Sequence, residues 1–295
     1  MRAVERRPLL RIAALLVLAT AVVLFSLTSS VPPRPLFRAG DYYVLSGDFH
    51  VHLFPGDGGV PPWVMRDEAE RAGLDVIAAT SHNQTLAGRL GQWTARGAGP
   101  IVISGEEVTG DDYHLIALGV TARVGGDQPA ARAIDAIHAQ GGVAIAAHPT
   151  AAFRGWTDEA VSKLDGAEVA HPEIWGGEKY RRQLMDFQER ARRSSPRLAA
   201  IGSSDAHMTR SLGECRTFLF VRDVSAAGVL DALRQGTTVA LDMYGNLYGR
   251  PDLVQMIRDR RPSGRVDPHP RVRRLATALA FTGLAGALLL GARRA

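Results

Sequence analysis

The sequence predicts an α/β fold with a mainly parallel sheet, barrel or open, between residues 40 and 245. Two observations predict it. Short apolar runs alternate with helical stretches over roughly 200 residues, the pattern of strand–helix units. Histidines and carboxylates gather at the ends of those runs, where parallel α/β folds place their functional groups.

The strand candidates are, in order, Val44–Val51, Leu74–Thr80, Pro100–Ser104, His114–Val120, Val143–Ala147, Gly166–Ala170, Leu198–Gly202, Thr217–Val221 and Val239–Leu241. Three of the intervening stretches carry helix punctuation. Pro62–Ala72 has proline in its first turn and stops at Gly73, and Pro129–Gln140 stops at Gly141-Gly142. Ser225–Gln235 has a serine at its cap and stops at Gly236. There is no internal repeat and no low-complexity tract.

The residues that carry chemistry sit at those strand ends. His50 and His52 are two apart in a strand, so both imidazoles face one place. Asp57 follows in a Gly/Pro-rich loop. Asp205 and His207 repeat the spacing after Leu198–Gly202. His82 follows Leu74–Thr80, Glu106 and Glu107 follow Pro100–Ser104, His114 opens the next strand, and His148 follows Val143–Ala147. Six of the nine histidines therefore lie at strand ends with carboxylates beside them. A lone His-x-His or Asp-x-His occurs by chance; the same arrangement at five strand ends does not. Histidine and carboxylate without cysteine suit zinc, manganese or iron. His138 in a helical stretch and His269 in a linker read as structural or solvated. His171 reads as structural, with a substrate contact as its alternative. Arg154, Lys179, Arg210 and Arg216 are candidates to meet a phosphate, Arg210 first because it lies three residues after His207.

Residues 44 to 242 resemble the PHP (polymerase and histidinol phosphatase) family. Asp48-Phe-His50-Val-His52-Leu-Phe-Pro-Gly-Asp57-Gly is similar to its D-x-H-x-H-T-x-x-S-D-G motif, and Thr80-Ser81-His82-Asn83 to its T-D-H-N. Gly105-Glu106-Glu107-Val108 before His114, Ala147-His148-Pro149, and Ser204-Asp205-Ala206-His207 follow in family order. Ser81, Leu53 and Gly56 depart from the motifs at positions that are not ligands. The resemblance implies a distorted (βα)7 barrel with two or three divalent ions (Zn, Mn or Fe) at the C-terminal face. It implies His50, His52, Glu107 and Asp205 around one ion, Glu107, His114 and His148 around a second, and Asp57, His82 and His207 around a third, with Glu107 rather than Glu106 as the bridge. Its implied activity is hydrolysis of a phosphate mono- or diester by metal-activated water, with His50, His52, Glu107, Asp205 and Arg210 in the catalytic set and a small phosphorylated substrate or nucleotide as partner. No protein partner is expected. The rival readings are an amidohydrolase acting on C–N bonds and a tethered metal-binding domain without turnover.

The charge distribution separates this core from its flanks. Residues 40–250 carry 20 Lys+Arg against 26 Asp+Glu, whereas the flanks carry 15 against 4, so the overall +5 belongs to the tails. A nucleic-acid footprint would instead put basic residues on the folded domain. One cysteine, Cys215, excludes an internal disulfide framework. Within residues 1–30, Ile12–Leu27 is almost wholly apolar behind Arg2, Arg6, Arg7 and Arg11, and reads as a signal segment or a membrane anchor. The absence of an Ala-x-Ala site favours the anchor. A basic linker, residues 250–274, leads to a second uncharged run, Leu275–Ala292, expected to be a transmembrane helix. The positive-inside rule then places the catalytic domain outside the cytoplasm, although Arg271, Arg273 and Arg274 oppose that placement.

Overall fold

The structure, a computed structural model, describes residues 2–28, 36–95, 99–172, 177–258 and 270–291. The chain divides into two compact units, Arg34–Arg265 and a terminal unit made of Met1–Pro33 with Val266–Ala295. The terminal unit begins with helix α1 (Arg2–Thr28). The central unit runs β1 (Phe37–Ala39), β2 (Tyr42–Asp48), α2 (Met65–Arg71), β3 (Val76–Ala79), α3 (Leu86–Thr94), β4 (Ile101–Thr109), β5 (His114–Leu118), α4 (Ala130–Ala139), β6 (Val143–Ala146), α5 (Asp158–Lys163), β7 (Gly166–Ala170), α6 (Gly177–Ser194), β8 (Ala199–Gly202), β9 (Arg216–Val221), α7 (Ala226–Arg234), β10 (Thr238–Leu241), β11 (Leu247–Gly249) and α8 (Pro251–Ile257).

All nine expected strands form, but the sheet is mixed rather than mainly parallel. Its order is β11-β10-β9-β2-β3-β4-β5-β6-β7-β8, with β1 beside β2. The pairs β2–β3, β3–β4, β6–β7 and β7–β8 are parallel, while β4–β5, β5–β6 and every pair from β2 through β9 to β11 are antiparallel. The reason is connection length. Gly110–Tyr113 joins β4 to β5, and four residues cannot make a parallel crossover. Pairing with β5 also carries β4 past Ser104 to Thr109, through the polar Glu106 and Glu107. The result is a nearly closed α/β barrel rather than a regular (βα)7 repeat. At the seam between β8 and β9 no ladder forms; the Thr217 hydroxyl donates to Gly202 O and accepts from Gly202 N, both at 2.9 Å.

Period-two alternation fills the barrel. Ile103 of β4, Ile116 and Leu118 of β5, Val143 and Ile145 of β6 and Ile201 of β8 share one buried cluster. Helix α7 adds Val229, Ala232 and Leu233 to it. Leu230 reaches Gly119 after β5 and Arg234 bonds Gly141 O before β6, so α7 closes one end of the barrel. The same alternation puts Glu107 on the row of Ile103, and His114 on the row of Ile116, at the other end. Outside, α4, α5 and α6 pack Ile134, Ile137, Val161 and Phe187 against the β5–β7 side. Helices α2 and α3 cover β3 with Met65, Ala69 and Ala87.

The terminal unit corrects the membrane expectation. Helix α9 (Pro270–Gly291) packs on α1, with Gly283 against the backbone of Ala14 and Leu18 and Gly286 against Ala14. Two glycines there let the helix backbones approach closely. Among the described residues no helix is long and apolar enough to cross a membrane. The first turns of α1 hold Arg2, Glu5, Arg6, Arg7 and Arg11, and those of α9 hold Arg271, Arg273 and Arg274. The apolar remainder of each falls short of the roughly 20 residues that span a bilayer. The expected transmembrane anchors, and with them the membrane-anchored, extracytoplasmic placement, are therefore withdrawn. Linker residues 259–269 with His269, residues 29–35 where a signal cleavage site was sought, and Ala292 with Arg293 and Arg294 lie outside the described residues.

Candidate metal centre

The open end of the barrel brings all nine expected ligand positions into one constellation. Glu107 is its hub and is almost fully buried. Its Oε2 lies 3.2 Å from His50 Nε2, 3.4 Å from His52 Nε2 and 2.9 Å from His82 Nδ1. Its Oε1 lies 2.7 Å from His114 Nδ1 and 3.2 Å from His148 Nε2. Asp205 sits opposite, with Oδ1 2.9 Å from His52 Nε2 and 3.3 Å from His50 Nε2. Asp57 anchors the outer part, 3.4 Å from His82 Nε2 and 3.1 Å from both His207 Nε2 and His52 Nδ1.

Local structure explains why the sequence delivers these side chains. His50 and His52 follow β2, where the chain leaves the ladder but stays tied to its neighbours: His52 N donates to Ala206 O and Ala206 N to His50 O. Asp48 locks this crossing. Its buried carboxylate accepts from Ser204 Oγ at 2.5 Å, Ser204 N at 3.1 Å and Gly213 N at 2.9 Å. Burial raises its pKa, against those hydrogen bonds. Asn83, His148 and Asp205 are the non-glycine residues at positive φ among those described, at 49°, 29° and 49°. All three are at the site, where surrounding bonds hold backbone that would otherwise relax. The Asn83 side chain, for example, bonds both the N and the O of Thr109.

The electrostatics test whether cations fit. His50 Nε2, His52 Nε2, Glu107 Oε2 and Asp205 Oδ1 are buried and form no well-aligned hydrogen bond, although the two imidazole nitrogens lie 2.9–3.4 Å from the two carboxylate oxygens. Buried polar atoms without a hydrogen bond are rare, and a missing ion is a standard reason for them. Burial disfavours a charged His52, yet Asp205 and Glu107 outweigh it and push its pKa up to about 9. His50 is raised well above its usual value against the same burial, by Asp205, Glu107 and Glu168. Burial acts to raise Glu107 and Asp205, but the facing imidazoles hold both well below the carboxylate range. Among the described residues the donors form five groups that could each hold an ion: His50, His52 and Glu107; Glu107, His114 and His148; His52, Asp57, His82 and His207; His50, His148 and Asp205; and His50, Glu168 and His171. The histidine and carboxylate donor set fits zinc, manganese or iron.

Two neighbouring residues were not singled out, or only weakly, by the sequence. Glu168, inside β7, is fully buried and lies 3.0 Å from His50 Nδ1. Its signal was a lone acid within the apolar run Gly166–Ala170. His171 is buried, 3.6 Å from Asp205 Oδ2 and 2.9 Å from the Tyr180 hydroxyl, so its place is beside the constellation. Glu106 faces away from the barrel interior, accepts from Val124 N, and is raised by burial to about 7. His138 pairs with Asp165 far along α4, as a structural residue.

The candidate phosphate contacts fare differently. Arg210 is exposed on the short turn Thr209–Ser211, and Arg154 and Lys179 are exposed as well. Arg216 bonds Gly213 O and Ala72 O, which uses it as framework. The cation that sequence reading passed over is Arg123. It lines an open cleft of about 590 Å³ with Asn83, Thr109, Asp111, Gly125, Gly126 and Asp127. Thr109 Oγ1 is 2.6 Å from His82 Nδ1, so this cleft adjoins the constellation.

The PHP-associated family model matches residues 189–238, which include Asp205 and His207. No curated protein matches the chain. A two-domain protein from Bacteroides vulgatus, described as containing a predicted PHP-like metal-dependent phosphoesterase, is similar with a TM-score of 0.61 and 23% identity over 77% of this chain and 74% of that one. The chain shares that protein's fold. PsfC from Pseudomonas syringae is similar with a TM-score of 0.48 and 17% identity over 82% of this chain and 98% of that one.

Proposed function

We propose that the central unit is a metal-dependent phosphoesterase of the PHP family, acting on a phosphate mono- or diester through two or three divalent ions. One observation carries this reading: four buried atoms of His50, His52, Glu107 and Asp205 converge at ion-pair distance without a well-aligned hydrogen bond, where a cation would sit. The match to the PHP-associated model and the PHP-like fold support it.

His50, His52, Glu107 and Asp205 would hold one ion; Glu107, His114 and His148 a second; and Asp57, His82 and His207 a third. Ions bound there supply Lewis acidity toward a phosphoryl oxygen and lower the pKa of water. The chain's own contribution is orientation. Glu107 offers separate oxygens to two groups of imidazoles. His171 and Tyr180 stand behind Asp205, so that its Oδ1 faces His50 and His52. The cleft beside His82 would seat the remainder of a small phosphorylated substrate or nucleotide, with Arg123 or the exposed Arg210 offering a cation to its anionic oxygens.

The test is the purified full chain with manganese or zinc, assayed on a panel of phosphate mono- and diesters. The expected result is release of phosphate or cleavage of the diester, lost in His50→Ala and Asp205→Ala. No turnover of any ester, with both variants indistinguishable from the parent, would sink the proposal.

A further inference from the structure

Glu168 differs from the other buried carboxylates at the open end of the barrel. It does not point at the convergence of those four atoms. Its two oxygens are used on two different ligand residues. Oε1 lies 3.0 Å from His50 Nδ1, and Oε2 accepts from the backbone N–H of His148 at 2.6 Å. Both contacts are fully buried on the Glu168 side. His50 shares one donor group with His52 and Glu107, and His148 another with Glu107 and His114; the two also meet in a group with Asp205, and Glu168 itself lies in a group with His50 and His171.

We propose that Glu168 is a positioning residue that braces both inner ion sites through one carboxylate. This inference rests on the metal-centre reading given above. At His50 the carboxylate accepts a hydrogen bond from Nδ1–H, so that in the neutral ring the Nε2 lone pair faces Glu107 and Asp205 and is free to take an ion. A carboxylate behind a histidine ligand fixes its tautomer and ring orientation in this way. At His148 the carboxylate holds the backbone at φ 29°, a conformation that a non-glycine residue keeps only when its surroundings enforce it. The strand supplies the reach. In β7 Glu168 lies on the row of Gly166 and Ala170, and β7 pairs in parallel with β6, the strand that ends just before His148. The outer group of Asp57, His82 and His207 has no contact with Glu168 among the described hydrogen bonds and ion pairs.

Glutamine is the informative replacement because it keeps the shape and has a single acceptor oxygen. It can accept from His50 Nδ1–H or from His148 N–H but not from both with the same geometry. The experiment titrates the metal-stripped full chain and its Glu168→Gln variant with Co(II), reading the visible spectrum and competing with a chromophoric chelator. The expected result is a 10- to 100-fold affinity loss at the inner sites with an altered Co(II) spectrum, the effect typical of removing such a brace. The outer site should keep its affinity. Equal affinities and superimposable spectra would overturn the inference while leaving the metal centre intact. A parent chain that binds no Co(II) would instead remove the metal centre itself, and the inference with it. Should Glu168→Gln not fold, NMR of the Cd-loaded parent decides. Coupling of cadmium to His50 Nε2 with a protonated Nδ1 is expected, and coupling to Nδ1 contradicts the proposal.

Discussion

The inner and outer parts of the constellation are built from the same residue types but in different environments. His50, His52 and Glu107 are buried, whereas Asp57, His82 and His207 expose 43, 37 and 41% of their side chains. Inside, burial and facing charges act strongly: the imidazoles are raised, the carboxylates are lowered, and donor atoms are left without a well-aligned hydrogen bond. Outside, water screens the same pairs. The contrast teaches that the inner groups are prepared for cations and the outer group is open to exchange. Inner ions should bind tightly and define the chemistry, and an outer ion should come and go with solvent or substrate.

The largest expected effect breaks the inner part. His50→Ala or Asp205→Ala should lower kcat/KM on any ester the parent hydrolyses by at least about a hundredfold, with loss of bound metal by elemental analysis. His207→Ala should cost much less, no more than about tenfold, and should be rescued by added metal. Equal losses in the two parts would erase the contrast. Metal removal should sharpen it next. Stepwise chelation should release one equivalent easily and the rest slowly, and the fully loaded protein should melt higher than the stripped one, by about 2.7 kcal/mol of added stability at a hundredfold excess over Kd. A single release phase would contradict the two classes of site.

The pH dependence of the stripped protein follows from the same groups. His52 is raised to about 9, so its contribution to stability is full below the unfolded histidine value and is lost as pH rises from there through 9. Asp205, Glu107 and Asp57 are lowered, so theirs is present above the unfolded carboxylate range and is lost as pH falls through their folded values. Thermal melts should therefore show a maximum between about pH 4.5 and 6.5. Metal uptake must displace protons from the inner imidazoles, so metal affinity should increase with pH up to about 9. A stripped protein most stable at pH 9 would contradict this account of the inner charges. The smallest effect lies at the barrel seam: Thr217→Val removes the hydroxyl that joins β8 to β9 and should cost about 1 kcal/mol in denaturant unfolding. Metal content should not change.

Much of this was readable in the sequence because apolar alternation and strand-end histidines are local signals. The run Val143–Ala147 with His148 behind it states both a strand and a candidate ligand without tertiary information. What was hidden depends on neighbours in space. The antiparallel turn at Gly110–Tyr113 fixes the β4–β5 pairing, but Glu106-Glu107 breaks the apolar run and disguises the second half of β4. Glu168 is one acid among small apolar residues, and only the packed barrel shows that it spans His50 and His148. The terminal runs Ile12–Leu27 and Leu275–Ala292 are uncharged, which read as membrane spans, but among the described residues no helix is long and apolar enough to cross a membrane. Arg123 lies between strands with no motif to mark it, and acquires a role only from the cleft beside His82.

Elemental analysis of the full chain, after dialysis against buffer without chelator, tests the central claim most directly. The account predicts at least two equivalents of divalent transition metal in the parent and less than one in a His50→Ala/Asp205→Ala double variant that keeps the parent's circular dichroism. A parent that holds no metal, or a double variant that holds as much as the parent, would contradict it.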